Sequence, residues 1–178
     1  MHDIDFEKIA RDWKGENIPG ARNCGIVGTS NEHLADVVES QIRAGNFTLT
    51  LGGDHSIGIG SLAGILRAQP NTGVLWIDAH ADLNNPDMSD SGNMHGMPVG
   101  MLMEGVAPDH SKLPGLEWLA NGPRLQPSQI VYIGLRDVDA PERAAIRNLG
   151  ITAFTMYDVD RYGIGNVMEM ALDHLLKD

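Results

Sequence analysis

Three ionisable side chains at alternate positions, Asp78, His80 and Asp82, follow directly on the apolar run VLWI at residues 74–77. On an extended backbone, side chains two apart share a face, so this D-x-H-x-D string can turn two carboxylates and an imidazole toward one point. That donor set suits a borderline-to-hard divalent cation. Mg2+ and Ca2+ rarely take histidine, whereas Zn2+ and Cu2+ sites usually hold more nitrogen or sulfur, so Mn2+ fits best, ahead of iron or cobalt. The same string also describes a solvated loop in which His80 bonds a neighbour. His55, in GGDHS at 52–56, offers a second imidazole after another apolar run, although Asp54 and Ser56 there can equally cap a following helix.

Two further strings are rich in binding groups. SDSGNMHGMP at 89–98 gathers Ser91, Asn93 and His95, a hydroxyl, an amide and an imidazole that a loop could present to a small ligand or simply expose in a turn. RDVDAPE at 136–142 brings Asp137, Asp139 and Glu142, either surface charge offset by Arg136 and Arg143 or the binding groups for a cationic substrate. A rival chemistry comes from Gly58, Gly60 and Ala63, which fit G-x-G-x-x-A, with Asp78 lying 20 residues beyond Gly58. This is the spacing of a dinucleotide-binding turn. Against it, GGDHS separates the glycines from the preceding apolar run and puts Asp54 where a pyrophosphate needs positive potential. His80 and Asp82 would also go unexplained.

The elements that must position these groups are read from periodicity. Leu34, Val37, Val38 and Ile42 have helical spacing, with Ser30 or Asn31 as the cap and Gly45 as the stop. FTLTL at 47–51 reads as a strand, followed by a helix around 61–68 and the strand GVLWI at 73–77, which together make a β-α-β unit. QIVYIGL at 129–135 and ITAF at 151–154 read as further strands, and 164–176 as an amphipathic helix. The alternation predicts an α/β fold, a parallel sheet with helices on both faces. Ligands in such folds bind beyond the carboxyl ends of the strands, where GGDHS, DAHAD and RDVDAPE all fall.

The 178 residues are 42% hydrophobic and 21% charged, enough for one globular domain, and no linker or repeat suggests a boundary. A net charge of −11 disfavours nucleic acid and acidic membranes as partners. No apolar stretch approaches a membrane span, and the first residues lack the order of a signal peptide, so a cytoplasmic location is expected. The lone Cys24 has no disulfide partner and reads as a small core residue, as the nine methionines read as core filler.

Taken together, TLGGDHSIGIGS, VLWIDAHADLNNP, SGNMHGMP, VYIGLRDVDAPE and DVDRYGIGNVMEMAL resemble, in order from about Gly25 onward, the arginase branch of the ureohydrolase family. The resemblance implies manganese-dependent hydrolysis of L-arginine to L-ornithine and urea, in arginine metabolism or a urea cycle. It implies two Mn2+ ions, with His55, Asp78 and Asp82 on one, His80 on the other, Asp78 bridging, and Asp54 in support. It assigns the α-carboxylate of arginine to Asn84, Ser91 and Asn93, and the α-amino end to Asp139 and Glu142. Catalytic work would fall to His95 as proton shuttle and to Asp82 beside its metal role. A homo-oligomer, a trimer in the family, is implied as well.

Departures from the pattern shape the expectations. Residues 1–24 do not resemble the family's opening strand, and the second aspartate-rich metal motif would lie beyond Asp178. Asn85 and Ala140-Pro141 stand where threonine and proline-glycine are frequent. A chain with part of its metal cage is expected to hold Mn2+ weakly and to show negligible arginase activity alone. The competing reading is a non-catalytic binding or subunit-contact module built from such a fold.

Overall fold

In the computed structural model, which describes residues 3–15 and 17–176, β1 (Val74–Ile77), β2 (Ile130–Leu135) and β3 (Thr152–Thr155) form a parallel sheet in that order. All six residues of the central β2 are buried, which is why its sequence is an unbroken apolar run. Val74 to Ile77 pair in step with Ile130 to Ile133, so Trp76 lies beside Tyr132. Alternation sorts the side chains into two cores. Trp76, Ile130 and Tyr132 share one with Ile59, Leu62 and Leu66 of α3 (Gly58–Ala68) and Ala35 of α2 (Cys24–Arg43), the long helix that follows the short α1 (Phe6–Asp12). α4 (Ala140–Leu149) adds Ala145, Ile146 and Leu149 to it. On the opposite face, Val131 and Ile133 pack with Val167 and Ala171 of α6 (Ile164–Leu175) and Val159 of α5 (Met156–Tyr162). Each fully buried Ile, Leu or Val contributes about 1.5–3 kcal/mol before chain ordering is counted. The fold is therefore the α/β class expected, with helices on both faces of a parallel sheet.

Three local readings are corrected. Ser30 and Asn31 do not begin a helix, because α2 starts at Cys24 and carries both inside it. Their polar groups find partners there: Ser30 Oγ donates to Ile26 O, Asn31 Nδ2 donates to Val27 O, and Asn31 Oδ1 accepts the Gly60 N–H at 2.7 Å. A buried cross-helix bond thus replaces a cap. Second, residues 47–51 form no strand and pair with none among the described residues, and Phe47 and Leu51 are 93% and 83% exposed. Alternation supplied a strand-like face, but a strand also needs a ladder to join, so the β-α-β unit lacks its first strand. Third, Gly58 and Gly60 lie within α3 rather than at a strand-to-helix turn, so the dinucleotide fingerprint has no phosphate-binding loop to form.

Between β1 and β2 the chain has no helix longer than a three-residue turn, yet Met97, Val99, Met101, Leu102 and Met103 are all fully buried. This packed, irregular segment supports the loop that leaves β1. Cys24 is buried as expected, and burial pushes its thiol up to about 12. Among the described residues, no helix is long and apolar enough to cross a membrane.

Candidate metal and substrate site

Asp78 is the first residue past β1, and its N–H still donates to Ile133 O at 3.1 Å, so it stands on the end of the ladder facing the same side as Trp76. The chain then turns. His80 N–H donates to Asp78 Oδ1 at 3.0 Å, and Asp82 takes a left-handed backbone conformation, φ 49°, which aspartate tolerates better than most residues. The Asp82 carbonyl is held by the N–H groups of Val99 and Gly100 at 2.9 and 3.1 Å. No alternation of an extended strand aligns Asp78 with Asp82; the turn does.

His55 meets them from another direction. It opens a short 3-10 turn, His55–Ile57, whose start is capped by Asp54 Oδ1, accepting from Ser56 N and Oγ at 3.0 and 2.5 Å. His55 Nδ1 lies 2.6 Å from Asp82 Oδ2 and 3.0 Å from Asp78 Oδ2. One donor atom from each of His55, Asp78 and Asp82 falls within 4.8 Å of the others. His80 stands apart from this trio: its Nδ1 is 3.3 Å from the other Asp78 oxygen, Oδ1, and its Nε2 is 3.5 Å from Asp137 Oδ2. Asp82 is 5% exposed, and burial raises its pKa, with His55 pulling the other way and Asp78 adding to the rise. Two carboxylates and an imidazole at this spacing form a donor set of the kind that holds a divalent cation.

A cavity of about 200 Å3 adjoins the cluster and is lined by His80, Asp82, Asn84, Ser91, Asn93, His95, Asp137, Asp139 and Glu142. The residues that the resemblance assigns to the substrate, Asn84, Ser91, Asn93, Asp139 and Glu142, therefore share one space. Asn84 Nδ2 donates to Asp139 Oδ2 at 3.0 Å, while its buried Oδ1 has no partner among the described residues. Ser91 Oγ accepts the Asn93 N–H at 3.2 Å, and His95 is exposed in the turn Met94–Gly96. Glu142 is different, being 4% exposed with both oxygens engaged: Oε1 accepts Leu83 N–H at 2.8 Å and Oε2 accepts Asp139 N–H at 3.0 Å. Burial raises its pKa despite those bonds. The same two acidic residues start α4 as a capping box, and Pro141 falls in its first turn, where proline is tolerated. Asn85 organises the loop by accepting from Asp87 N and Met88 N, both at 3.0 Å, and donating to Val106 O at 2.7 Å.

Asp137, which the sequence offered as surface charge or as a group for a cationic substrate, sits against His80 with Oδ2 3.5 Å from Nε2. Gly100 carried no legible signal and matters through what it lacks: a Cβ there would lie 2.0 Å from Asn84 O and 2.7 Å from Leu83 O. A larger groove of about 730 Å3, lined by Ile4, Ile9, Trp13 and Val37 among others, holds none of the residues above.

A sequence model of the arginase family matches residues 3–178. The chain belongs to the arginase family. The match takes in most of the segment before Gly25, which carries no recognisable motif. Among its relatives are the arginase of Eremothecium gossypii, 48% identical over 169 residues, covering 94% of this chain and 41% of that one. Human Arginase-1 is 42% identical over 174 residues, covering 98% of this chain and 52% of that one. The chain spans about half the length of the curated relatives it matches. In structure it resembles Entamoeba histolytica arginase, solved in complex with L-ornithine, with a TM-score of 0.79 and 35% identity over 93% of this chain and 55% of that one.

Proposed function

We propose that this chain carries ligands of a manganese site and residues of the substrate site for hydrolysis of L-arginine to L-ornithine and urea. The observation that carries the reading is the convergence of His55, Asp78 and Asp82 beside a cavity lined by Asn84, Ser91, Asn93, His95 and Asp139. Asp78, with one oxygen toward His55 and the other toward His80, would help hold the cations together with these two imidazoles and Asp82. The oxygen-and-imidazole donor set fits Mn2+.

The guanidinium carbon is resonance-stabilised and poorly electrophilic, so neutral water is too weak to attack it. Bound divalent cations would supply the Lewis acidity that brings a water pKa from about 15.7 toward about 7. The chain's own residues do the rest. Asp139, steadied by Asn84, offers a carboxylate to the α-amino group; Ser91, Asn93 and Asn84 offer hydroxyl and amide donors to the α-carboxylate. Glu142 fixes Asp139 from behind and adds negative charge at that end. Collapse of the tetrahedral carbon needs a proton on the leaving amine, which becomes the side-chain amine of ornithine. His95 supplies it, because imidazole is the side chain whose proton is exchangeable near neutral pH. The proposal includes one domain over 1–178, a cytoplasmic protein and a homo-oligomer.

Calorimetric titration of the Mn2+-equilibrated chain with L-arginine and with agmatine, which lacks the α-carboxylate, tests the substrate assignment. Tighter binding of arginine supports it; equal affinities would remove Ser91 and Asn93 from substrate recognition. Urea release in the same mixture would favour a hydrolase over a binding module.

A further inference from the structure

We propose that Trp76 is a positioning residue for His55, a plate that sets the plane in which the imidazole is offered to a cation; the inference rests on the metal reading above. The indole and imidazole centroids are 4.7 Å apart with their planes tilted by 34°, within the range of a favourable aromatic contact. The strand explains why the two rings meet. Trp76 and Asp78 are two residues apart on one face of the extended chain, so a ring resting on the indole is carried to the Asp78 carboxylate.

His55 has little else to hold it. Its side chain is 46% exposed, and among the described residues its ring nitrogens contact only Asp78 and Asp82, the other two members of the trio. Were Nδ1 to hold a cation, Asp78 and Asp82 would be its fellow ligands, while the indole would still lie against the ring. A ring held before the cation arrives loses less freedom on binding it.

Trp76 is itself clamped. It is 8% exposed, and a Cβ at Gly58 would fall 2.9 Å from Pro98 Cβ and 3.1 Å from the indole Cη2, so glycine at the start of α3 leaves the space the indole fills. Its neighbour on β2 is Tyr132. The indole Nε1 is buried with no partner among the described residues. A buried N–H without an acceptor is a cost that phenylalanine would avoid in a space-filling role. What tryptophan adds here is the larger face under His55.

Two measurements test this. Proton NMR of the metal-free chain reads the His55 ring resonances, assigned by their loss in His55→Asn. Stacking on the indole shifts them from their ordinary positions, and Trp76→Leu returns them; unshifted resonances in the parent overturn the proposal whatever the metal does. Calorimetry with Mn2+ then compares the parent with Trp76→Leu and the milder Trp76→Phe, each first checked for folding by urea titration. Affinity is expected to fall about 10-fold or more in Trp76→Leu, the scale of lost supporting contacts at metal sites, and less in Trp76→Phe, which keeps a ring. If Trp76→Leu does not fold, Trp76→Phe alone decides by its affinity. Folded variants that bind Mn2+ within twofold of the parent overturn the positioning role, whereas a parent that binds no Mn2+ overturns the metal reading and leaves the NMR result to judge the stacking.

Discussion

Glu142 places a carboxylate in the interior of a chain whose net charge is already −11, and the two N–H groups it accepts explain how it is tolerated. Through Leu83 it holds the residue between Asp82 and Asn84; through Asp139 it holds the start of α4. Glutamine keeps the shape but turns an NH2 group toward one of those donors, leaving a buried N–H unpaired at a cost of about 1–3 kcal/mol. Glu142→Gln should lower the stability of the metal-free chain by about that much in a urea titration, and an unchanged midpoint would show that the two bonds hold nothing. Side chains such as Asp78, Asp82 and His55 were legible in the sequence because few residue types can ligate a cation, so their spacing carries information. Trp76 was not: an aromatic in a strand occurs for many reasons, and only proximity in space gives it a part in the site.

At the scale of elements, the loop from Asp82 to Asn85 lies directly on the backbone at Gly100, and no side chain can be added there without moving one of them. Because the nearest atoms are main-chain carbonyl oxygens, the strain cannot be relieved by a rotamer change. Gly100→Ala should destabilise the chain by about 1–3 kcal/mol and weaken Mn2+ binding, both read on the same preparation by thermal unfolding and calorimetry. A variant with parental stability and affinity would mean the loop has room that the structure does not show. The three paired strands and α6 were legible because burial writes itself as apolar periodicity. The start of α2 was not, since Ser30 and Asn31 look like caps until their partners on α2 and α3 are seen. Residues 47–51 read as a strand for a similar reason: periodicity reports a face, not the neighbour that would pair with it.

At the scale of the whole molecule, a buried histidine away from the site bears on stability through its protonation. His110 is 1% exposed, and burial, followed by Arg124 with Nη2 at 3.2 Å from Nδ1, pushes its pKa down to about 4. An unfolded histidine titrates near 6.5, so as the pH falls the unfolded chain takes up this proton first. The stabilisation is complete above about pH 6.5 and is lost as the pH drops toward about 4. His110→Gln should flatten that decline, reducing the stability difference between pH 7 and pH 4.5 by about 2–3 kcal/mol; parallel pH profiles would contradict it. The central claim, that the end of this sheet is a cation site organised by Asp78, is tested most directly by Mn2+ titration of the metal-free chain and of Asp78→Asn, followed by electron paramagnetic resonance of the free ion. The account predicts that the parent depletes the free Mn2+ signal and that Asp78→Asn does not. Equal stoichiometry and affinity in the two proteins would contradict it.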